Sequence, residues 1–321
     1  MMIPKFDKRN HHYIPQFWLR GFRDSKRQLF ARIGNDIRVV SPAKMMQIDW
    51  LYTLFDDQWR PSDALEDALS GAEAHQAQLL KRLQAPGYIP TVEDKAQLCA
   101  FLGLQSSRHP DVLRRGLSLA REFATLLAGV HGHSAEEFLA LVGRYGIHRS
   151  EGEYLYERAA SRSKEQLAGE LADVLALSPQ SPHLPVQDAI RAAPQIEAAI
   201  ANMQLCLLDA TPPSAFVLGD TPIPQSDLGQ GFSVPLSRSL AVIACPAKSE
   251  KRDMTQREAT QTEVDAINRG QFDSADLPQS GGPGLILVHD GPCSYGWCGR
   301  RSGSRWRSRP QQGLWCRGSV A

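Results

Sequence analysis

Thirteen residues near the start, Asn10 to Phe22, restrict the fold more than any other stretch of this 321-residue chain. They read Asn-His-His-Tyr-Ile-Pro-Gln-Phe-Trp-Leu-Arg-Gly-Phe, with six large apolar or aromatic side chains among them. Proline turns its predecessor away from the α region, so His11 to Ile14 are expected to be extended. Pro15 suits a first helical turn, where its missing N–H costs nothing, and Gly21 suits the position just past a helix end. A short helix over Pro15–Arg20 is therefore predicted, with Tyr13, Phe17, Trp18 and Phe22 in the core. The extended half delivers His12 to wherever that helix docks. An imidazole titrates near neutrality, which makes His12 a candidate acid, base or ligand. The plainer alternative, favoured for a histidine standing alone, is a hydrogen-bonded core or boundary residue.

A hairpin follows: Gln28–Ile33 and Asp36–Val40 read as strands across the turn pair Gly34-Asn35. Leu51–Phe55 reads as a further short strand. Ser62 or Asp63 caps a long helix reaching about Leu83, with Leu65, Leu69, Ala72, Leu79 and Leu83 on one face. Thr91 is the N-cap of a second, strongly apolar helix through Phe101 and Leu104, which Pro110 must break at about His109. Asp111–Leu127, Ser134–Tyr145, Lys164–Leu177 and Pro185–Met203 read as further helices, the last interrupted at Pro194. Ser150–Tyr156 and Ser178–Leu184 read as polar or proline-containing connections. After Leu208 the pattern changes to strands, Phe216–Leu218, Gly231–Val234 and Ser239–Cys245, followed by a final helix over Thr255–Phe272. The order of strands, helices and strands predicts an α+β fold, with N- and C-terminal strands in one sheet packed against a long helical middle. Residues 1–276 are expected to form one domain, with two remaining an alternative.

Several polar residues stand out against this frame. Glu66 and Glu73 are seven apart, so two helical turns bring them into line on the flank of an apolar face. Aligned carboxylates can bind a divalent metal or handle protons; from spacing alone, pairing with a lysine or arginine is preferred. Gln105 and Arg108 share a face just before the break at Pro110. An arginine there can clamp an anion, or pair with Glu66 or Glu73 to join two helices. Neither reading of Arg108 is ahead of the other. Asp220 ends a strand before a sharp turn, where it can serve chemistry or cap its own backbone.

Composition bounds the class. The chain is 42% hydrophobic and has a net charge of +1, as expected of a globular protein. No stretch approaches the roughly 20 apolar residues of a membrane helix, and the start lacks the apolar segment of a signal peptide. Cys99, Cys206 and Cys245 sit among apolar residues and read as reduced, so a cytoplasmic location is expected. Charge is uneven: six arginines and no acid follow Asp290, leaving −5 on residues 1–290. The first 33 residues are basic and could touch phosphates, although scattered surface charge is the preferred explanation. From about Leu277 the chain turns rich in Gly, Ser, Arg, Trp and Cys, and reads as an atypical tail, disordered or out of frame. Cys293, Cys298 and Cys316 match zinc-ligand spacing poorly. Phosphate-binding loops, dinucleotide glycine fingerprints, serine-hydrolase elbows and His-Glu-x-x-His sites are all missing.

Four stretches carry a family resemblance: His12 to Phe22; Ile48 to Thr53 with Glu66 and Glu73; Phe101 to Pro110; and Phe216 to Pro222. Together, in this order and spacing, they resemble the bacterial family known as domain of unknown function 4238. His109, Gly219 and Thr221 depart from its usual residues. Some members of the family have been linked to bacteriophage defence, which implies a direction and no reaction. The resemblance raises the functional reading of His12, Glu66, Glu73, Gln105, Arg108 and Asp220. One expectation is a metal-assisted hydrolase acting on nucleic acid or a nucleotide. His12, Glu66, Glu73 and Asp220 would supply ligands or proton transfer, and Arg108 would neutralise a phosphate. The other is a non-catalytic module that senses or binds a phage component, with the same residues locking sheet to helices.

Overall fold

The structure, a computed structural model, describes residues 8–34, 36–55, 61–145, 147–176, 185–224, 228–247, 254–275 and 285–288. The fold is α+β. The chain separates into two compact units, one of residues 1–109 with 190–321 and one of residues 110–189.

The first unit opens with β1 (Asn10–His12) and α1 (Gln16–Arg20). Pro15 holds the N-cap position in extended geometry, as the motif predicts, and Gly21 ends the helix. Gly21 stays right-handed, with a φ of −65°. A β-carbon there would lie 3.1 Å from the Trp18 carbonyl and 3.3 Å from the Ser237 side chain, so lack of room explains the glycine. The hairpin is β2 (Leu29–Ile33) and β3 (Asp36–Val40), with Gly34 left-handed at φ +60°. Asn35 lies outside the described residues. Next come β4 (Gln47–Asp49), antiparallel to β1, and a small ribbon of β5 (Leu54–Phe55) with β6 (Pro61–Ser62).

Helix α2 (Ala64–Leu83) buries Leu69, Leu79, Leu80 and Leu83. Asp63 occupies its N-cap position without capping; its Oδ2 accepts from the Lys8 N–H at 3.1 Å, and Ser62 Oγ accepts from the Ala64 N–H. Helix α3 (Val92–Ser107) starts at a reciprocal capping box between Thr91 and Asp94. Burial works to raise the Asp94 carboxyl, but the Tyr88 hydroxyl, the Thr91 donors and Arg82 together hold it at about 2. Gly103, at the centre of α3, is set by crowding. A β-carbon would stand 2.9 Å from the Ala193 carbonyl oxygen and 3.0 Å from the Glu197 nitrogen. Gly103→Ala must push two backbones apart and should cost about 1–3 kcal/mol, read as a lowered urea midpoint at unchanged slope.

The second unit holds α4 (Pro110–Ala128), α5 (Ala135–Gly143), α6 (Arg149–Ala160) and α7 (Lys164–Ala176). Its core is Val130, Phe138, Val142, Ala159 and Leu167. The predicted connection Ser150–Tyr156 is instead part of α6. That helix has few large apolar residues because it packs by smallness: a β-carbon on Gly152 would fall 2.7 Å from Leu139. Residues 178–184 lie outside the described residues.

Helix α8 (Pro185–Ala201) rejoins the first unit and runs through Pro194. The chain then becomes β7 (Met203–Asp209), β8 (Leu218–Gly219), β9 (Phe232–Pro235), β10 (Leu240–Pro246) and β11 (Met254–Glu258). Helix α9 (Gln261–Ala275) and β12 (Leu285–Val288) complete it. Two of these strands correct the sequence reading: Met203 begins β7 rather than ending α8, and residues 255–258 belong to β11 rather than to α9. Within the tail set apart by composition, Leu285–Val288 form a strand; Cys293, Cys298 and Cys316 lie outside the described residues. One sheet, ordered β3-β2-β12-β8, joins the N-terminal hairpin to C-terminal strands, and β11-β7-β10-β9 make a second. β10 is buried over five successive residues, as expected of a central strand.

Amides of α9 hold the Phe216–Pro222 segment in place. Asn268 accepts from the Val217 N–H and donates to the Ala215 carbonyl, both at 2.9 Å. Gln271 accepts from the Gly219 N–H at 2.9 Å and donates to the Pro222 carbonyl at 3.1 Å. Gly219 must be glycine for close approach, since a β-carbon would stand 2.9 Å from the Gln271 carbonyl oxygen.

Candidate functional site

The alternation of β1 sends its two histidines to different places. His11 is fully buried and His12 half-buried. His11 Nδ1 accepts from the Tyr52 N–H at 2.7 Å, so its proton sits on Nε2 and is donated to the Lys8 carbonyl at 3.1 Å. The ring stacks on Tyr52 with centroids 5.7 Å apart. Burial holds both histidines below the usual imidazole range and therefore neutral. His12 Nε2 faces the Pro42 carbonyl at 3.2 Å and, as the donor, leaves only Nδ1 to accept.

Arg108 sits at the end of α3 because Pro110 stops the helix there. Its side chain is 1% exposed, and three of its N–H groups are engaged. Nε donates to the Tyr52 hydroxyl at 3.2 Å, Nη1 to Glu73 Oε1 at 2.8 Å, and Nη2 to the His12 carbonyl. Tyr52 in turn donates its hydroxyl proton to the Arg108 carbonyl at 2.8 Å, and its ring lies 5.1 Å from the guanidinium. Burial alone would favour losing the guanidinium proton; Tyr52 and Glu73 reverse that, and the group is held more firmly protonated than usual. Of the two readings open for Arg108, the structure contains the ion pair between helices. A guanidinium so enclosed offers no open fork to a phosphate from solution.

Glu66 lies two turns before Glu73 on α2, half-buried. Its Oε2 is buried and finds no hydrogen-bond partner among the described residues. Burial pushes its carboxyl up to about 7; the Arg108 charge opposes the rise and Glu73 adds to it. Asp63 is buried nearby, within electrostatic reach of Glu66.

The other two candidates lie elsewhere. The Asp220 carbonyl faces His109 Nε2 at 2.9 Å. It takes no part in the guanidinium's hydrogen bonds. Gln105, 5% exposed, lines a small recess with Tyr13, Trp18, Ser106 and His109. In the basic N-terminal stretch Lys8 pairs with Asp67 and Arg9 with Asp49, each at 2.7 Å. Among the described residues, no three His, Cys, Asp or Glu side chains are grouped so as to hold a metal ion. No helix among the described residues is long and apolar enough to cross a membrane.

The family model described as "Protein of unknown function (DUF4238)" matches residues 10–279. The chain belongs to the DUF4238 family. No curated protein and no solved structure gives a match. Three of the four DUF4238-like stretches meet at Arg108, through His12, Tyr52 with Glu73, and Arg108 itself. The fourth, Phe216–Pro222, meets the next residue, His109. Sequence reasoning chose His12 and passed over His11 and Tyr52, which do the joining. Tyr52 carried no local signal, because its partner is 56 residues away.

Proposed function

We propose that the protein is a hydrolase of bacterial phage defence, acting on nucleic acid or a nucleotide, with Glu66 as its proton-transfer group. Glu66 itself supports the reading. It is a half-buried carboxyl titrating at about 7, with one oxygen unpartnered among the described residues, beside a Glu73 engaged by Arg108. Such a group is present in both forms near neutrality. It can protonate a leaving oxygen or take a proton from an attacking water. In this reading Arg108 positions Glu73 and the His12 backbone and does not touch the substrate.

Expression in a phage-sensitive bacterium should lower plaque counts, and the purified protein should release nucleotides from DNA or RNA. Glu66→Gln keeps shape and removes proton transfer. It should cut the hydrolysis rate by roughly 100-fold or more without lowering the melting temperature at pH 7. Hydrolysis by Glu66→Gln at the wild-type rate would exclude Glu66 from the chemistry.

Stability should carry the same signature. The folded carboxyl binds its proton up to about pH 7, the unfolded one only to about 4.5. The Glu66 contribution is therefore complete below pH 4.5 and is lost as the pH rises to 7. After discounting for solvent screening, the loss is on the order of 1–3 kcal/mol. Urea titrations across that window should show the slope in the wild type and a flattened one in Glu66→Gln.

The enclosure of Arg108 favours a second reading, a non-catalytic binding module in which the network is a lock. Alanine at Glu66 or Glu73 would then lower melting temperature and phage protection in parallel.

A further inference from the structure

The recess beside Tyr13 contains a buried amide that has no hydrogen-bond partner among the described residues. Gln105 is 5% exposed, and neither its Oε1 nor its Nε2 has a hydrogen-bond partner among the described residues. Ser106, next along α3 and 8% exposed, has an equally unpartnered hydroxyl. Both line the recess, with Ile14, Trp18, His109, Pro222 and Ile223 as its other buried walls. Tyr13 alone of the lining is only half-buried, and its ring stands edge-on to His109 at 5.3 Å. Buried polar groups are normally satisfied, and each exception calls for a partner. Two adjacent exceptions facing one recess call for an occupant.

We propose that this recess receives an exocyclic polar group of a nucleobase. The proposal rests on the nucleotide reading above and names the part of the nucleotide that is recognised. A glutamine amide presents a donor and an acceptor side by side, so it can bond either an exocyclic amino or a carbonyl group of a base. The Ser106 hydroxyl can take either role. Tyr13, the half-buried wall, supplies aromatic surface for an unstacked base. Free space in the recess is about 10 Å³, room for one polar group. One exocyclic polar group of the base enters, and its ring rests outside against Tyr13. A primary carboxamide carries the same pair, so the test must separate the two sources.

The full chain is titrated with AMP, CMP, GMP, UMP and nicotinamide, by calorimetry and by thermal shift. At least one nucleotide should bind and raise the melting temperature. Gln105→Met fills the same volume without polar atoms. It should weaken that binding at least ~10-fold and raise the melting temperature of the free protein, because an unsatisfied amide is gone. Should Gln105→Met fail to fold, Ser106→Ala must weaken binding several-fold. Glu66→Gln should still bind, so a failed hydrolysis reading is told apart from a failed pocket. Nicotinamide binding without any nucleotide overturns the proposal, as does the absence of all binding. Binding unaffected by Gln105→Met or by Ser106→Ala also overturns it.

Discussion

Arg108→Met is expected to destabilise the protein by about 3–5 kcal/mol, the range for breaking a buried ion pair from one side. Methionine fills most of the volume, so the loss comes from polar groups left behind. Glu73 keeps a negative charge with no cation at 2.8 Å, and the Tyr52 hydroxyl and His12 carbonyl each lose a donor. Arg108→Lys should recover little, because an ammonium cannot reach three acceptors lying in different directions around a planar fork. Glu73→Gln keeps an amide oxygen to accept from Nη1 but leaves the buried Arg108 guanidinium without its counter-charge, so it should also be destabilising. Urea unfolding with added salt completes the test. The pair is enclosed, so the difference between wild type and Arg108→Met should persist at 1 M salt, where surface pairs are screened. A loss below about 1 kcal/mol would show that the network holds nothing together.

Trp18→Ala should cost a similar ~3–5 kcal/mol, from a different source. The indole is wholly buried and packs edge-on to Phe101 with centroids 5.0 Å apart. Its Nε1 donates to the Pro235 carbonyl at 3.1 Å, joining α1 to the end of β9 across 217 residues of chain. Alanine leaves a cavity between the N-terminal motif, α3 and the second sheet, and the backbone around it can close only in part. Trp18→Phe separates the two contributions. It retains most of the apolar contact and loses the hydrogen bond, so about 1–2 kcal/mol is expected. If alanine and phenylalanine cost the same, the hydrogen bond rather than the packing anchors the motif.

Elements written by local chemistry could be read directly. Pro15 and Gly21 bound α1, Gly34 turns the hairpin, Thr91 with Asp94 starts α3, and Pro110 ends it. Each signal lies within a few residues of its effect. The errors fall where a distant partner decides. The spacing of Ile196, Ile200 and Met203 continues a helical stripe. The chain nevertheless leaves α8 at Ala201, where the buried Lys95 ammonium donates to the Ala201 and Met203 carbonyls at 3.1 and 2.8 Å. β11 is polar and half-exposed, and becomes a strand by pairing in parallel with β7. Gln256 reinforces that pairing, donating to the Asp209 carboxylate at 2.9 Å. Helix α6 hid because small residues, which carry little hydrophobic signal, form its buried face.

The candidate site divides in the same way. Spacing on one helix put Glu66 and Glu73 in line, and Gln105 and Arg108 on a common face, because helical geometry is local and regular. It could not say that Arg108 would take Glu73 and leave an oxygen of Glu66 without a partner among the described residues. Nor could it say that Tyr52 would close the network while Gln105 faced a recess of its own. By itself the sequence determined the α+β class, most helix boundaries and the residue types available for chemistry. Tertiary structure alone decided which of those residues meet and which carboxyl is lifted toward neutrality. Burial and charge pairing depend on neighbours that the chain brings together only when it folds.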